Sequence, residues 1–308
     1  MQHDLLQAAR TFRRQVAVGW DDVAGLDDAK HSLASALALM LAQPPPGARN
    51  DPVLRILLYG APGTGKTLLA AAVSTLFRLD PSKPASFYAV KIPELRDPQT
   101  VTALFDVLRQ DVPAVSFYDE VEAIALRRGS DMDQDSAQRK LLSTFLSELD
   151  GFGNKGVERP WILHIAATNR PWDLDEAILS RFTLHVYVPL PDDALRRRIV
   201  EMHLARNGYA LTDGLDWKTL LDKTDRFSGR ELETLTQQVV ARMIRQENPG
   251  LEELAVRDPA RLRQTRLVAR PLVLDDFLRI LEQMNPLTSP AYERRYLKWA
   301  RSPFAAAG

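Results

Sequence analysis

The chain has 308 residues, 45% of them hydrophobic and 26% charged, which excludes a disordered protein and allows one large domain or two smaller ones. Lys and Arg number 40 and Asp and Glu 40, so the bulk charge gives no case for a nucleic-acid or anionic-membrane partner. There are no cysteines, which rules out disulfides, thiolate metal sites and cysteine nucleophiles.

The start, Met1-Gln2-His3-Asp4 with Phe12-Arg13-Arg14-Gln15 behind it, lacks the apolar run of a signal peptide. Residues 1–17 read as a short N-terminal extension, too small for a folded substrate-recruiting domain. The longest apolar stretch, around Leu33 to Ala42, is roughly half of what a membrane crossing needs. A soluble, cytoplasmic protein without membrane insertion is expected.

A helix is predicted from Asp27 to Leu41, ended by Pro44-Pro45-Pro46-Gly47, where three prolines cannot continue it. Short apolar runs then recur at Ile56–Tyr59, Ser86–Val90, Ala114–Tyr118, Ile162–Ala166 and Leu184–Val188. Runs of this length with little alternation suit strands covered on both faces. Alternating with helical segments, they predict a parallel α/β sheet. After Pro189-Leu190-Pro191 only helices are predicted, among them Ala194–Arg206, Gly229–Glu247 and Leu274–Met284, with a charged loop from Glu252 through Arg270. The expected organisation is the extension over residues 1–17, an α/β domain over 18–191, a small all-helical domain over 192–286 and a C-terminal helix and tail over 287–308.

The segment Gly60-Ala61-Pro62-Gly63-Thr64-Gly65-Lys66-Thr67 fits G-x-x-x-x-G-K-[ST]. Glycines let backbone amides close around phosphate oxygens, since no Cβ blocks the approach or the positive-φ conformations. Lys66 is expected on the β/γ-phosphates and the Thr67 hydroxyl on Mg²⁺. A helix beginning near Lys66 would aim its positive end at the phosphates. The pattern alone arises by chance in about one chain of this length per hundred. Here an apolar strand precedes it and Leu68-Leu69-Ala70-Ala71-Ala72-Val73 follows, which is the context it requires. Pro62, Gly63, Thr64, Gly65, Lys66, Thr67 and Leu68 are thus the expected ATP contacts.

Further pieces lie at later strand ends. Asp119 ends the run Phe117-Tyr118-Asp119-Glu120, where an acidic residue can hold hydrated Mg²⁺, and Glu120 can polarise an attacking water. Asn169 follows Ala166-Ala167-Thr168, and its amide can align that water. Arg181 is a candidate for charge stabilisation from a neighbouring subunit. Ser228-Gly229-Arg230 opens a helix of the small domain, from which Gly229 and Arg230 would meet nucleotide and couple its position to the γ-phosphate. Each taken alone has a plain structural alternative: a solvated turn, an Asn turn before Pro171, a helix-end arginine.

In this order the pieces resemble the AAA+ ATPases over nearly the entire chain, from about Val18 to Phe304. The chain looks most like the AAA group that includes katanin, spastin, fidgetin and the ESCRT-disassembling ATPase. Gly19 to Lys30 is similar to that group's W-x-D-[IV]-A-G-L-x-x-A-K, and Leu174–Phe182 with Val186–Asp192 looks like its second region of homology. The resemblance implies that Ala24, Gly25 and Leu26 line the adenine pocket and that His203 sits near ribose or adenine. It implies that the small helical domain is a lid, and that Asp275-Asp276-Phe277 and the helix carrying Tyr292, Tyr296 and Trp299 pack back and support assembly. It further implies a nucleotide-dependent homo-hexamer, hydrolysing ATP with Mg²⁺ at subunit interfaces and remodelling or disassembling a protein client.

Three departures stand out. Ser180-Arg181 replaces a usual arginine pair, and Glu122 replaces an Asp after the acidic pair. The gripping loop after the second strand is reduced to Lys91–Gln99, several residues shorter with two prolines and no aromatic, so Ile92 and Leu95 would matter for substrate work only if the shortened loop still grips. The charged stretch Arg127–Asp135 falls where a second pore loop would. A non-threading ATP-driven switch or assembly factor is therefore the alternative, and a nucleic-acid-acting ATPase a weaker one.

Overall fold

The computed structural model describes residues 2–47, 55–80, 82–124, 132–151 and 161–301. Its first elements are α1 (Gln2–Arg10), β1 (Arg13–Arg14), α2 (Asp27–Leu41), β2 (Arg55–Tyr59) and α3 (Lys66–Leu76). A short ribbon, β3 (Arg78–Asp80) with β4 (Lys83–Pro84), precedes β5 (Ser86–Lys91), α4 (Pro98–Gln110), β6 (Ala114–Asp119) and α5 (Met132–Gly151). The α/β part continues through β7 (Ile162–Thr168), α6 (Glu176–Leu179) and β8 (Leu184–Tyr187).

The main sheet runs β1-β5-β6-β7-β2-β8. Its strands are parallel except β1, which pairs antiparallel with β5 through Arg13↔Tyr88 and Arg14↔Phe87. Successive strand residues face opposite sides, and both sides are covered. Leu57, Ala114, Tyr118, Ile162 and Ala166 join Leu104 and Phe105 of α4 and Phe145 and Leu149 of α5 in one core. Ile56, Leu58, Val115, Phe117, Leu163 and Ile165 join Leu33 and Leu37 of α2 and Leu69 and Val73 of α3 in the other. Two-sided burial is why these strands read as apolar runs.

Residues 2–14 are part of this body rather than an appendage. Ala9 of α1 is fully buried in the first core, and Leu5, Leu6 and Phe12 pack against it.

The chain divides into two compact units, Met1–Pro189 with Ala291–Gly308, and Leu190–Pro290. The second unit holds α7 (Asp193–Arg206), α8 (Trp217–Lys223), α9 (Gly229–Glu247), α10 (Leu251–Arg257), α11 (Pro259–Gln264) and α12 (Leu274–Leu281). Val200, Leu204, Phe227, Leu235, Val239 and Phe277 form its core. Two features differ from the sequence expectation. The stretch from Glu252 to Arg270 is largely the helices α10 and α11, which bury no residue and are begun by Gly250 at φ 89° and by the Asp258 side chain accepting from Arg261 N at 3.0 Å. Their helicity is local, so no apolar period announces it. A parallel bridge, Leu211 to Leu272, also lies in this helical unit. The last helix, α13 (Pro290–Ala300), belongs from Ala291 onward to the α/β unit.

Candidate active site

Parallel strands end together, so whatever follows them gathers at one edge of the sheet. At the carboxyl edge β7 lies between β6 and β2, with Tyr59 opposite Thr168 and Tyr118 opposite Ala166. Gly60, Asp119 and Asn169 each lie at or just beyond these strand ends. In open α/β sheets this edge is where ligands bind.

The loop from β2 to α3 requires glycine at its first position. Gly60 has φ 154°, and a Cβ there would lie 2.1 Å from the Val188 carbonyl oxygen. Gly63 (φ 77°) and Gly65 (φ 98°) also take backbone conformations that L side chains rarely adopt. Thr64 Oγ1 donates to Ala61 O at 3.0 Å, tightening the turn. Lys66 is 7% exposed, and its Nζ donates to Gly60 O at 2.9 Å and Ala61 O at 2.8 Å, which keeps the ammonium inside the loop's curvature. Thr67 and Leu68 begin the exposed face of α3. Gly65 caps α3 without any side chain on its first amides, so the N–H groups and the dipole of an eleven-residue helix face the loop.

Asp119 is half-buried, and its Oδ1 accepts from Glu120 N at 3.0 Å. Glu120 has φ 56°, an uncommon conformation for a residue with a Cβ and one that concentrates at functional sites. It turns the chain sharply, and Ala123 N donates to its carbonyl at 2.8 Å. Glu122, in the same turn, is 7% exposed. Its Oε1 accepts from Asn169 N at 3.3 Å, while its buried Oε2 has no hydrogen-bond partner among the described residues. Asn169 itself is half-buried, and its carbonyl accepts from the Tyr296 hydroxyl at 2.6 Å. These two ties to Asn169 are what sequence reasoning missed. In the sequence Tyr296 reads only as part of a packing helix, and no local pattern links it to a strand end.

Ala24, Gly25 and Leu26 form the turn before α2. Gly25 and Leu26 are both left-handed, at φ 58° and 59°. Leu26 Cδ1 sits 3.8 Å from where a Cβ on Gly65 would be, which puts this turn against the phosphate loop. Lys30 Nζ donates to Val23 O and holds the turn closed.

Arg181 makes its contacts elsewhere. Its Nε and Nη2 donate to Asp150 Oδ2 at 3.2 and 3.0 Å, and its Nη1 to Ser180 Oγ at 3.2 Å. Asp150 also pairs with Arg55 at 3.2 Å, and Arg139, Leu142, Leu146, Asp150 and Arg181 line an open depression. Within the helical unit, His203 is half-buried on α7, and burial lowers its pKa below the ordinary imidazole value, with Glu233 opposing and Arg206 assisting. Gly229 and Arg230 open α9 behind a capping box in which Ser228 N donates to Glu231 Oε2 at 2.9 Å, and Arg230 is exposed. Arg127–Asp135 lies outside the described residues apart from the backbone of the start of α5.

Ile92 and Leu95 are each 2% exposed and belong to the α4/α5-side core. A short helical turn, Ile92–Glu94, points them inward and leaves Lys91, Glu94, Arg96 and Asp97 exposed. They are core residues, not substrate contacts.

A glycine-rich loop between strand and helix, with acidic and amide residues on the next two strand ends, defines a P-loop nucleotide-binding protein. The pattern of the family "ATPase family associated with various cellular activities (AAA)" matches residues 56–190. Spastin of Naegleria gruberi is 33% identical over 290 residues, covering 92% of this chain and 52% of its own length. The FIGL-1 AAA domain in complex with ADP superposes with a TM-score of 0.76 at 25% identity, covering 98% of this chain and 97% of its own. A structure described as the basis for katanin self-assembly gives 0.75 at 26% identity, covering 97% and 96%. Residues 56–190 form an AAA domain, and the likeness to spastin extends over 92% of the chain. The chain spans about half the length of that spastin. No helix among the described residues is long and apolar enough to cross a membrane.

Proposed function

We propose that this protein hydrolyses ATP in a nucleotide-dependent homo-hexamer and uses it to remodel or disassemble a protein complex in the cytoplasm. The observation that carries the reading is the convergence of the phosphate loop, Asp119, Glu120 and Asn169 on one sheet edge. Lys66 and the first amides of α3 bind the phosphates. Glu120 accepts a proton from the attacking water, and its left-handed backbone fixes the carboxylate's departure from the strand. Asn169 aligns that water.

The oxygen donors Thr67 and Asp119 fit a hard cation such as Mg²⁺, with Asp119 keeping acceptor capacity beyond its bond to Glu120 N. When bound, the ion neutralises charge on the β- and γ-oxygens. Ala24, Gly25, Leu26 and His203 receive the adenosine, and Gly229 and Arg230 of the helical unit report the γ-phosphate. Arg181 acts on the nucleotide of a neighbouring subunit, a role consistent with its half-buried place away from its own phosphate loop's hydrogen bonds.

The test is Glu120→Gln, which removes the base while leaving binding groups intact. With ATP it is expected to retain nucleotide and sediment as a hexamer. A monomer at saturating ATP would overturn the ring.

One observation favours a second reading, an ATP-driven switch that does not thread its partner. With Ile92 and Leu95 in the core, the turn between β5 and α4 offers only charged and proline side chains to a substrate. Loss of a partner complex without any pulling or unfolding of its subunits would select this reading.

A further inference from the structure

Asn169 is the first residue past β7, where the ladder ends. The last pairs are Tyr59 with Thr168 on one side and Tyr118 with Ala166 on the other. Its backbone is therefore not fixed by strand pairing, and two side chains from distant parts of the chain hold it instead. Glu122 Oε1 takes the N–H at 3.3 Å, and the Tyr296 hydroxyl donates to the C=O at 2.6 Å. Holding both ends of one residue restricts φ and ψ together, and so restricts where its side-chain amide points.

The Tyr296 end is rigid. The residue is 2% exposed, with its ring centroid 5.0 Å from that of Trp172 and 6.2 Å from that of Tyr187. Trp299, one turn later, packs edge-on to Tyr59 at 4.4 Å, and Arg295 lies 3.9 Å over Trp172. These ring contacts anchor α13 on the sheet through atoms other than the hydroxyl. Burial pushes the Tyr296 phenol above its ordinary pKa, so the hydroxyl remains a donor.

We propose that Tyr296 is a positioning residue for hydrolysis: from α13 it fixes the Asn169 backbone, so that docking of the last helix sets the aim of the Asn169 amide. The inference rests on the reading of Asn169 as the water-aligning group. It ties an element at the far end of the sequence, 127 residues away, to the chemical step.

The experiment compares wild type, Tyr296→Phe and Asn169→Ala in the full chain. Steady-state ATP hydrolysis is measured across protein concentration, with binding of a fluorescent ADP analogue and thermal melting alongside. Tyr296→Phe keeps the ring and loses only the hydroxyl. It is expected to lower kcat roughly tenfold at saturating protein while KM for ATP and the ADP affinity stay within about twofold. Asn169→Ala is expected to lower kcat at least as far. Three results overturn the inference. One is wild-type kcat in Tyr296→Phe beside an inactive Asn169→Ala. Another is a deficit that disappears as protein concentration rises, which marks assembly. The third is a joint loss of ADP binding and melting temperature, which marks packing. Wild-type turnover in Asn169→Ala would instead remove the reading of Asn169, and the inference with it.

Discussion

His164 lies in the middle of β7, 2% exposed, with Nδ1 2.7 Å from Ser116 Oγ and 3.1 Å from Tyr118 Oη and its ring 5.6 Å from Phe105. Burial, helped by the positive charges of Arg55 and Arg109, pulls its pKa from 6.5 down to about 3. A depressed folded pKa means that the unfolded chain binds more protons between pH 3 and 6.5. Stability contributed by the neutral imidazole is therefore complete above about pH 6.5 and is lost as the pH falls toward 3. The slope from this one group approaches about 1.4 kcal/mol per pH unit. Urea unfolding at pH 5 and pH 7.5 should show His164→Met losing about 2 kcal/mol less than wild type over that interval. Equal losses would mean that the ring is not held neutral. Glu120, by contrast, is a residue whose strain is local: its left-handed backbone costs about 1–2 kcal/mol, which the surrounding strand end and the following turn sustain.

At the scale of elements, the turn after β5 decides between a gripping loop and a piece of core. Ile92→Ala and Leu95→Ala should each cost about 2–5 kcal/mol in denaturant unfolding, because both side chains are surrounded by the core formed by α4 and α5. A loop that reached into solvent would change stability by less than about 0.5 kcal/mol. The five parallel strands and α2 were legible in the sequence to within a residue or two, since burial on both faces turns strands into unbroken apolar runs and the triple proline stops the helix. The elements that escaped are those whose stability has another source. β1 is two arginines joined to a sheet edge, α10 and α11 rest on caps, and β3 with β4 is a fully exposed ribbon. At the site, the strand-end residues were legible from spacing. The ties of Glu122 and Tyr296 to Asn169 were not, because separations of 47 and 127 residues carry no periodic signal.

For the whole molecule the telling residue is Arg181. Its guanidinium is engaged by Asp150, which Arg55 also holds, so the side chain enters any assembly already oriented by its own subunit. If it serves a neighbour's nucleotide, Arg181→Ala should retain ATP binding and lose turnover by about 10³-fold or more, as measured at a protein concentration where the wild type is assembled. Unchanged turnover would remove it from hydrolysis. With Ser180 in place of a second arginine, no arginine next to it in the sequence can compensate.

The strand β1 has a consequence unrelated to catalysis. It is only Arg13 and Arg14, yet it lies where β5 would otherwise present its outward N–H and C=O groups to solvent. An unsatisfied flank of that kind templates strands from other molecules, and short, charged guards are a usual defence. The first residues thus act as a selvedge on the sheet, and what they contribute to the protein is colloidal good behaviour: a margin that neither frays nor recruits.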